Sequence, residues 1–214
     1  PHLAGGDRIL GPNDDVPDVD VAFLALPHGA SWDLAHHLAV RGTLVVDLGS
    51  DYRLDTDDRY RAAYGAPHPL PDELGSWVYG LPELFDVAGA RRIAAPGCYP
   101  TAVLLAIAPL IRAGVVSLDA PIVADCLSGV SGAGRGVKES LMYGAIGEGV
   151  AAYKVTEHRH RPEIEMALGM GHQPHDIALG VAYAGDIVGR ATQRVAAARS
   201  PGTGDQTLFA QARE

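Results

Sequence analysis

Asp18-Val19-Asp20-Val21-Ala22-Phe23-Leu24-Ala25-Leu26, the turn Pro27-His28-Gly29-Ala30-Ser31, the segment from Trp32 to Val40, and Thr43-Leu44-Val45-Val46-Asp47-Leu48 carry the reading of the fold. The first and last are short apolar runs bounded by turn residues, which predicts two buried strands. Between them Trp32, Leu34, Ala35, Leu38 and Ala39 recur at helical spacing, and Ser31 is suited to cap that helix. Strand, turn, helix and strand with continuous apolar strands predict a parallel sheet joined by a crossover. Ligands of such sheets gather beyond the carboxyl ends of the strands, here residues 27–31 and 49–53.

Outward from this unit the pattern is less regular. Residues 51–74 read as irregular surface with a short helix near Asp57 to Tyr64, and residues 77–84 as a turn-rich connection. Arg92-Ile93-Ala94-Ala95 is expected as a strand running into Pro96-Gly97-Cys98-Tyr99-Pro100-Thr101, with a strong helix over 102–113. Ala120 to Leu127 reads as another strand, followed by a Gly/Ser loop over 128–136, a helix over 137–143 and an extended segment over 150–157. A helix is expected over 162–168, with Pro162 at a permitted first-turn position. Residues 177–184 and 187–198 are apolar with an ambiguous period, and 199–214 reads as a frayed tail.

The chain has 214 residues, a hydrophobic content of 47% and a formal net charge of −9. That is enough apolar material for a real core. The acidic balance argues against nucleic acid or an anionic membrane as partner, because a phosphate surface needs a basic footprint. No apolar run approaches the roughly 20 residues of a spanning helix. Two cysteines cannot make a disulfide framework; they fit a reducing, cytoplasmic setting. The chain opens on Pro1 and reads as a piece of something longer.

Three features bear on chemistry. Cys98 follows Pro96-Gly97 and immediately precedes a long apolar helix. A thiol at a helix N-terminus feels a partial positive charge, which favours the nucleophilic thiolate; the bland reading is a small residue in a strand-to-helix turn. Cys126, inside an apolar strand, reads as core. In the second feature, Glu157-His158-Arg159-His160-Arg161-Pro162-Glu163, an extended segment would turn His158 and His160 to one side. There an imidazole would serve thiolate acyl transfer as acid or base, and Arg159 and Arg161 would suit an anionic substrate. A metal-ligand reading of His-x-His lacks a third clustered ligand, so no metal is expected. A solvated charged loop is the bland alternative. In the third, Ser128-Gly129-Val130-Ser131-Gly132-Ala133-Gly134-Arg135-Gly136 suits close approach to an anion or a flat cofactor ring, or is simply a flexible loop. It is not a phosphate-binding Walker loop, and Gly-x-Gly-x-x-Gly appears nowhere.

Several pieces, taken in order and at their spacing over roughly 20–170, resemble the N-acetyl-gamma-glutamyl-phosphate reductase family. They are Ala25-Leu26-Pro27-His28-Gly29, Asp47-Leu48-Gly49-Ser50-Asp51-Tyr52-Arg53-Leu54, Tyr79-Gly80-Leu81-Pro82-Glu83-Leu84, Pro96-Gly97-Cys98-Tyr99-Pro100-Thr101, Ser128 to Arg135, and His158-Arg159-His160-Arg161-Pro162-Glu163. The fourth and last are the specific ones. The resemblance implies an α/β protein: an incomplete Rossmann-like parallel-sheet domain over 1–95, then an α+β catalytic domain over 96–214 whose stretch 172–214 departs from the family. It implies NADPH-dependent reduction of an acyl phosphate to a semialdehyde in arginine biosynthesis. Cys98 would be the nucleophile and His160 or His158 the acid–base partner. Tyr153, Glu163 and Arg53 would line the substrate site, and Pro27, His28, Gly29, Ser128 and Gly129 would contact NADP. The backbone of Gly97 and the start of the next helix are expected to hold the oxyanion. A homo-oligomer is implied, as is a glycine-rich nucleotide turn that this sequence does not contain, so this chain is expected to bind NADPH weakly or not at all. Reductases of aminoadipyl or aspartyl phosphate share the chemistry. A non-catalytic remnant and a Cys–His hydrolase are the readings of other classes.

Overall fold

The computed structural model describes residues 16–119, 121–134, 136, 138–147, 149–169 and 177–184, and the backbone of two strands beyond them. Strand β1 (Val21–Leu24), helix α1 (Trp32–Val40), β2 (Leu44–Asp47), α2 (Asp57–Tyr64), β3 (Val78–Tyr79) and β4 (Arg92–Ala94) form the first part. Its four strands lie in the order β1-β2-β4-β3, and every neighbouring pair is parallel. This is the expected parallel sheet, with the connection at 77–84 supplying the two-residue strand β3 that was read only as a turn. Helix α2 begins at Thr56, whose side chain accepts the Arg59 amide, and ends on Gly65 in the left-handed region at φ 77°.

The second part opens with α3 (Cys98–Arg112), a 15-residue helix beginning four residues earlier than its apolar pattern suggested. Pro100 needs no amide partner in the first turn, so the helix reaches back to Cys98. Then follow β5 (Ile122–Gly129), α4 (Tyr143–Ile146), β6 (Val150–Ala152), α5 (Arg161–Ala167), β7 (Ile177–Ala184), β8 (Thr192–Ala197) and β9 (Leu208–Arg213). They make a mixed sheet in the order β6-β7-β5-β8-β9, with β5 and β7 parallel and the other pairs antiparallel. In β5, Ile122, Ala124 and Cys126 are buried while Val123 is exposed, the period-2 alternation of a one-sided sheet.

Four expectations need correction. The helix read over 137–143 is a 3₁₀ turn over Glu139–Leu141 and the short α4, which stops at Gly147 (φ 47°). The extended segment over 150–157 ends at Ala152; Lys154 and Thr156 have φ of 43° and 64°, so the chain turns before the histidines. Of the apolar stretches of ambiguous period, 177–184 is β7 and 192–197 is β8, while 187–191 and 198 lie outside the described residues. Part of the tail read as frayed, Leu208–Arg213, is β9, paired with β8; the rest of 199–214 lies outside the described residues. Strand pairing supplied what a local pattern lacked.

Each part has its own core. Leu38, Val45, Leu54, Leu74 and Tyr52 are among those buried in the first, and Leu104, Ile107, Ile122, Ile164 and Leu179 in the second. Met166 of α5 packs against both, and so ties the two cores together.

Candidate active site

Cys98 is the first residue of α3 and is exposed, whereas Cys126 is buried; neither forms a disulfide. The turn before it is held by a residue 66 positions later in the chain. The Gly97 amide donates to Glu163 Oε1 at 2.8 Å, and Tyr79 Oη donates to the same oxygen at 2.8 Å. Glu163 is 1% exposed, and burial pushes its carboxyl above the usual range. The Gly97 amide is therefore committed to Glu163 and is not available to an oxyanion, contrary to the expectation. The amides that open α3 after it remain as candidate donors.

Gly97 is required by packing. A Cβ there would lie 2.7 Å from His160 Nε2 and 3.1 Å from Arg53 Nη1. The imidazole and the guanidinium thus press close on the residue that precedes Cys98. Arg53 is fixed by two carbonyls: its Nε donates to Ala95 O and its Nη2 to Leu48 O, each at 2.8 Å.

His158 and His160 do come together, with ring centroids 4.6 Å apart. The cause is a turn, not extended alternation: the His160 amide donates to His158 Nδ1 at 3.1 Å, and the Arg161 amide to His158 O at 2.9 Å. That bond leaves the His158 proton on Nε2, which faces Tyr153 Oη at 3.5 Å. Tyr153 Oη in turn pairs with Tyr99 Oη at 2.8 Å. Burial, then the charges of Arg159 and Lys154, push His158 down to about 4. Burial and the neighbouring His158 hold His160 well below its ordinary value, so both rings are neutral at pH 7.

Cys98, His158, His160, Tyr153, Arg53 and Ser128 all line one cavity of about 640 Å³. Glu163 stands behind it. Its lining also holds Lys138, Lys154 and Arg159 and, among the described residues, no carboxylate, although the chain as a whole is acidic. Pro27, His28, Gly29 and Gly129 do not line this cavity. His28 stacks on Tyr64 with ring centroids 4.1 Å apart, and Gly29 turns with φ 78°. The amides of Ser31 and Trp32 at the start of α1 donate to Asp51 Oδ2, so that helix end is closed to a phosphate. What remains for a cofactor is the exposed backbone at 27–29 and the wall at Ser128, where a Cβ on Gly132 would lie 2.4 Å from Ser128 Oγ. Tyr99, Tyr79, Lys138, Lys154 and Asp51 were not singled out by sequence reasoning; nothing local marks a tyrosine that closes on a carboxylate 84 residues away.

A parallel sheet feeding a cysteine-bearing helix, beside paired imidazoles and a cationic cavity, defines a dehydrogenase-type α/β fold with an exposed thiol at its site. The comparisons agree with that class. The sequence models of the semialdehyde dehydrogenase NAD binding domain and of the semialdehyde dehydrogenase dimerisation domain match residues 7–90 and 98–184. The chain belongs to the semialdehyde dehydrogenase family. It is 47% identical over 152 residues to the N-acetyl-gamma-glutamyl-phosphate reductase of Acidithiobacillus ferrooxidans, covering 70% of this chain and 44% of that protein. It is 45% identical over 170 residues to the protein of that name from Rhodopirellula baltica, covering 77% and 49%. The chain thus spans about half the length of these relatives. In fold it is similar to aspartate semialdehyde dehydrogenase II from Vibrio cholerae (TM-score 0.62, 14% identity, 87% of this chain and 58% of that one). The NADP-bound aspartate semialdehyde dehydrogenase of Candida albicans is similar too (TM-score 0.56, 12% identity, 87% and 52%).

Proposed function

We propose that the protein to which this chain belongs reduces N-acetyl-glutamyl 5-phosphate to its semialdehyde, with release of phosphate, in arginine biosynthesis. The observation that carries this reading is the packing of the His160 ring against Gly97, next to Cys98, in a cavity ringed by Arg53, Lys138, Lys154 and Arg159. The name shared by its relatives supports the choice of acyl phosphate.

In this reading the neutral His160 takes the Cys98 proton, and the thiolate attacks the acyl carbon. The carbon–oxygen bond to phosphate breaks and a thioester remains. NADPH, when bound, supplies a hydride to the thioester carbon. His160 then gives its proton to the oxyanion of the thiohemiacetal and recovers it as the carbon–sulfur bond breaks, which frees the aldehyde and restores the thiolate. His158, its Nδ1 occupied by a backbone amide, orients the pair and is not the base. Arg53 and the cavity lysines hold the phosphoryl and carboxylate groups. Residues 27–29, 128 and 129 flank the cofactor. Residues 1–95 serve the nucleotide and 96–214 the chemistry. A homo-oligomer is expected, in keeping with the dimerisation domain that matches residues 98–184, and a cytoplasmic setting is expected from the two cysteines outside any disulfide.

The test runs the reaction backwards. The full chain is mixed with the semialdehyde, inorganic phosphate and NADP, and appearance of the reduced nicotinamide is followed. Turnover by the native chain that is lost in Cys98→Ser supports the reading. Turnover that survives Cys98→Ser overturns it.

A further inference from the structure

Ser31 Oγ lies 3.0 Å from Asp47 Oδ2 and 3.0 Å from Asp51 Oδ2. All three residues are buried, Asp47, Asp51 and Ser31 each at 0% exposure. A serine hydroxyl has one proton and can donate to only one of them. With both carboxyls ionised, one buried oxygen would face the hydroxyl lone pairs with no hydrogen between, at the full cost of an unmade bond beside a second negative charge.

The surroundings decide which carboxyl carries the missing proton. Asp51 accepts from the amides of Gly29 (2.8 Å), Ser31 (3.1 Å) and Trp32 (3.1 Å), as well as from the hydroxyl. Several donors on one carboxylate favour its ionised form. Asp47 has one amide, that of Gly49 at 2.8 Å on Oδ1. The charged and titratable groups facing the pair are Arg53, His28, whose Nδ1 is 3.1 Å from Asp51 Oδ1, Tyr52, Tyr60, His68 and the two carboxyls themselves. Burial is the largest influence on Asp47 and pushes it up. Gly49 packs directly against this contact: a Cβ there would lie 2.7 Å from Asp47 Oδ1 and 2.8 Å from Ser31 Oγ.

We infer that Asp51 is the positioning residue for the His28–Gly29 turn, and that it is held in place by a proton passed along Asp47 Oδ2–H to Ser31 Oγ and Ser31 Oγ–H to Asp51 Oδ2. The anion at Asp51 gathers the amides that open α1 and so sets the backbone of the turn against which NADPH would lie. This rests on the cofactor reading above for its consequence, though not for the clamp itself. Asp47 acts as a neutral donor, so its side-chain amide analogue is expected to replace it: an asparagine there accepts from Gly49 through Oδ1 and donates to Ser31 through Nδ2. Asp51 acts as an anion and has no such substitute.

Three measurements on the full chain test this. Infrared difference spectra at pH 7 between the native chain and Asp47→Asn are expected to show the carbonyl stretch of a neutral carboxylic acid; its absence overturns the shared proton. Amide exchange at Gly29, Ser31 and Trp32 is expected to quicken about tenfold or more in Asp51→Asn and to stay within about twofold in Asp47→Asn. Equal effects of the two changes, or none from Asp51→Asn, overturn the clamp. NADPH titration is expected to rank the variants in the same order, with the iodoacetamide rate at Cys98 unchanged. NADPH affinities of the native chain and the variants that do not follow this order, with the exchange pattern as expected, overturn the cofactor reading alone. Should Asp51→Asn not fold, Ser31→Ala serves in its place for amide exchange, with loss of protection expected at Gly29.

Discussion

Glu163 on α5 accepts a hydrogen bond from the amide of Gly97, 66 residues earlier, at 2.8 Å. One buried carboxyl thereby fixes the turn that launches the cysteine helix to the helix that follows the histidines. The catalytic reading depends on this tie, because it holds the His160 ring and Cys98 on the same side of the cavity.

Removing the acceptor strands two buried donors, the Gly97 amide and the Tyr79 hydroxyl. Glu163→Ala is expected to cost about 3 kcal/mol or more. Glu163→Gln keeps a carbonyl oxygen and resembles the protonated acid that burial favours, so its cost is expected to be about 1 kcal/mol. Urea unfolding of both variants measures the difference, and equal losses would refute the role assigned to the acceptor.

Gly97→Ala leaves the backbone unstrained, since φ at Gly97 is −70°. Its new methyl group meets the buried His160 ring instead. The expected stability loss is about 1–3 kcal/mol, the usual cost of overpacking. The expected functional loss is larger: turnover falls by about a hundredfold as the ring moves off Cys98. Thermal melts and reverse turnover, taken on the same sample, check the split.

Acid should weaken the fold. His158, with an ordinary value of 6.5, is pushed down to about 4, and His160 is lowered further. Between those limits the unfolded chain binds more protons than the folded one. Stability is therefore full above pH 6.5 and falls as the pH drops toward 4, by roughly 3 kcal/mol for His158 alone. Glu163, whose carboxyl is raised, works in the opposite direction within part of that window. Unfolding free energies at pH 7, 5.5 and 4.5 should decline, and His158→Gln should flatten the slope. A slope unchanged by that substitution would count against the assignment.

The two thiols should part company toward iodoacetamide. Cys98 is exposed at the start of a 15-residue helix. Cys126 is 2% exposed, and burial pushes it up to about 12. At pH 7 Cys126 should react at least about a hundredfold more slowly than Cys98 until the chain is unfolded. Peptide mapping after timed quenching reads both rates; comparable rates would mean that the second thiol is not core.

The residues by themselves settled what local chemistry can settle. Continuous apolar runs around a helical period pointed to the parallel sheet, a short helix was legible near Asp57 to Tyr64, and the order Pro96-Gly97-Cys98 before an apolar helix marked the thiol. Elsewhere only the tertiary structure decided. β3 and β9 are too short or too weakly patterned to be strands without a partner to pair with. The histidines meet through a turn closed by the His160 amide on His158 Nδ1, after two residues at positive φ, Lys154 and Thr156, have ended the extended segment, which no alternation rule anticipates. Glu163 on Gly97 and Asp51 on the start of α1 join residues 66 and about 20 positions apart. Hydrogen bonds over such separations are chosen by burial: a polar group taken from water must find whatever partner the packed chain brings near, and the sequence carries no mark of which one that will be.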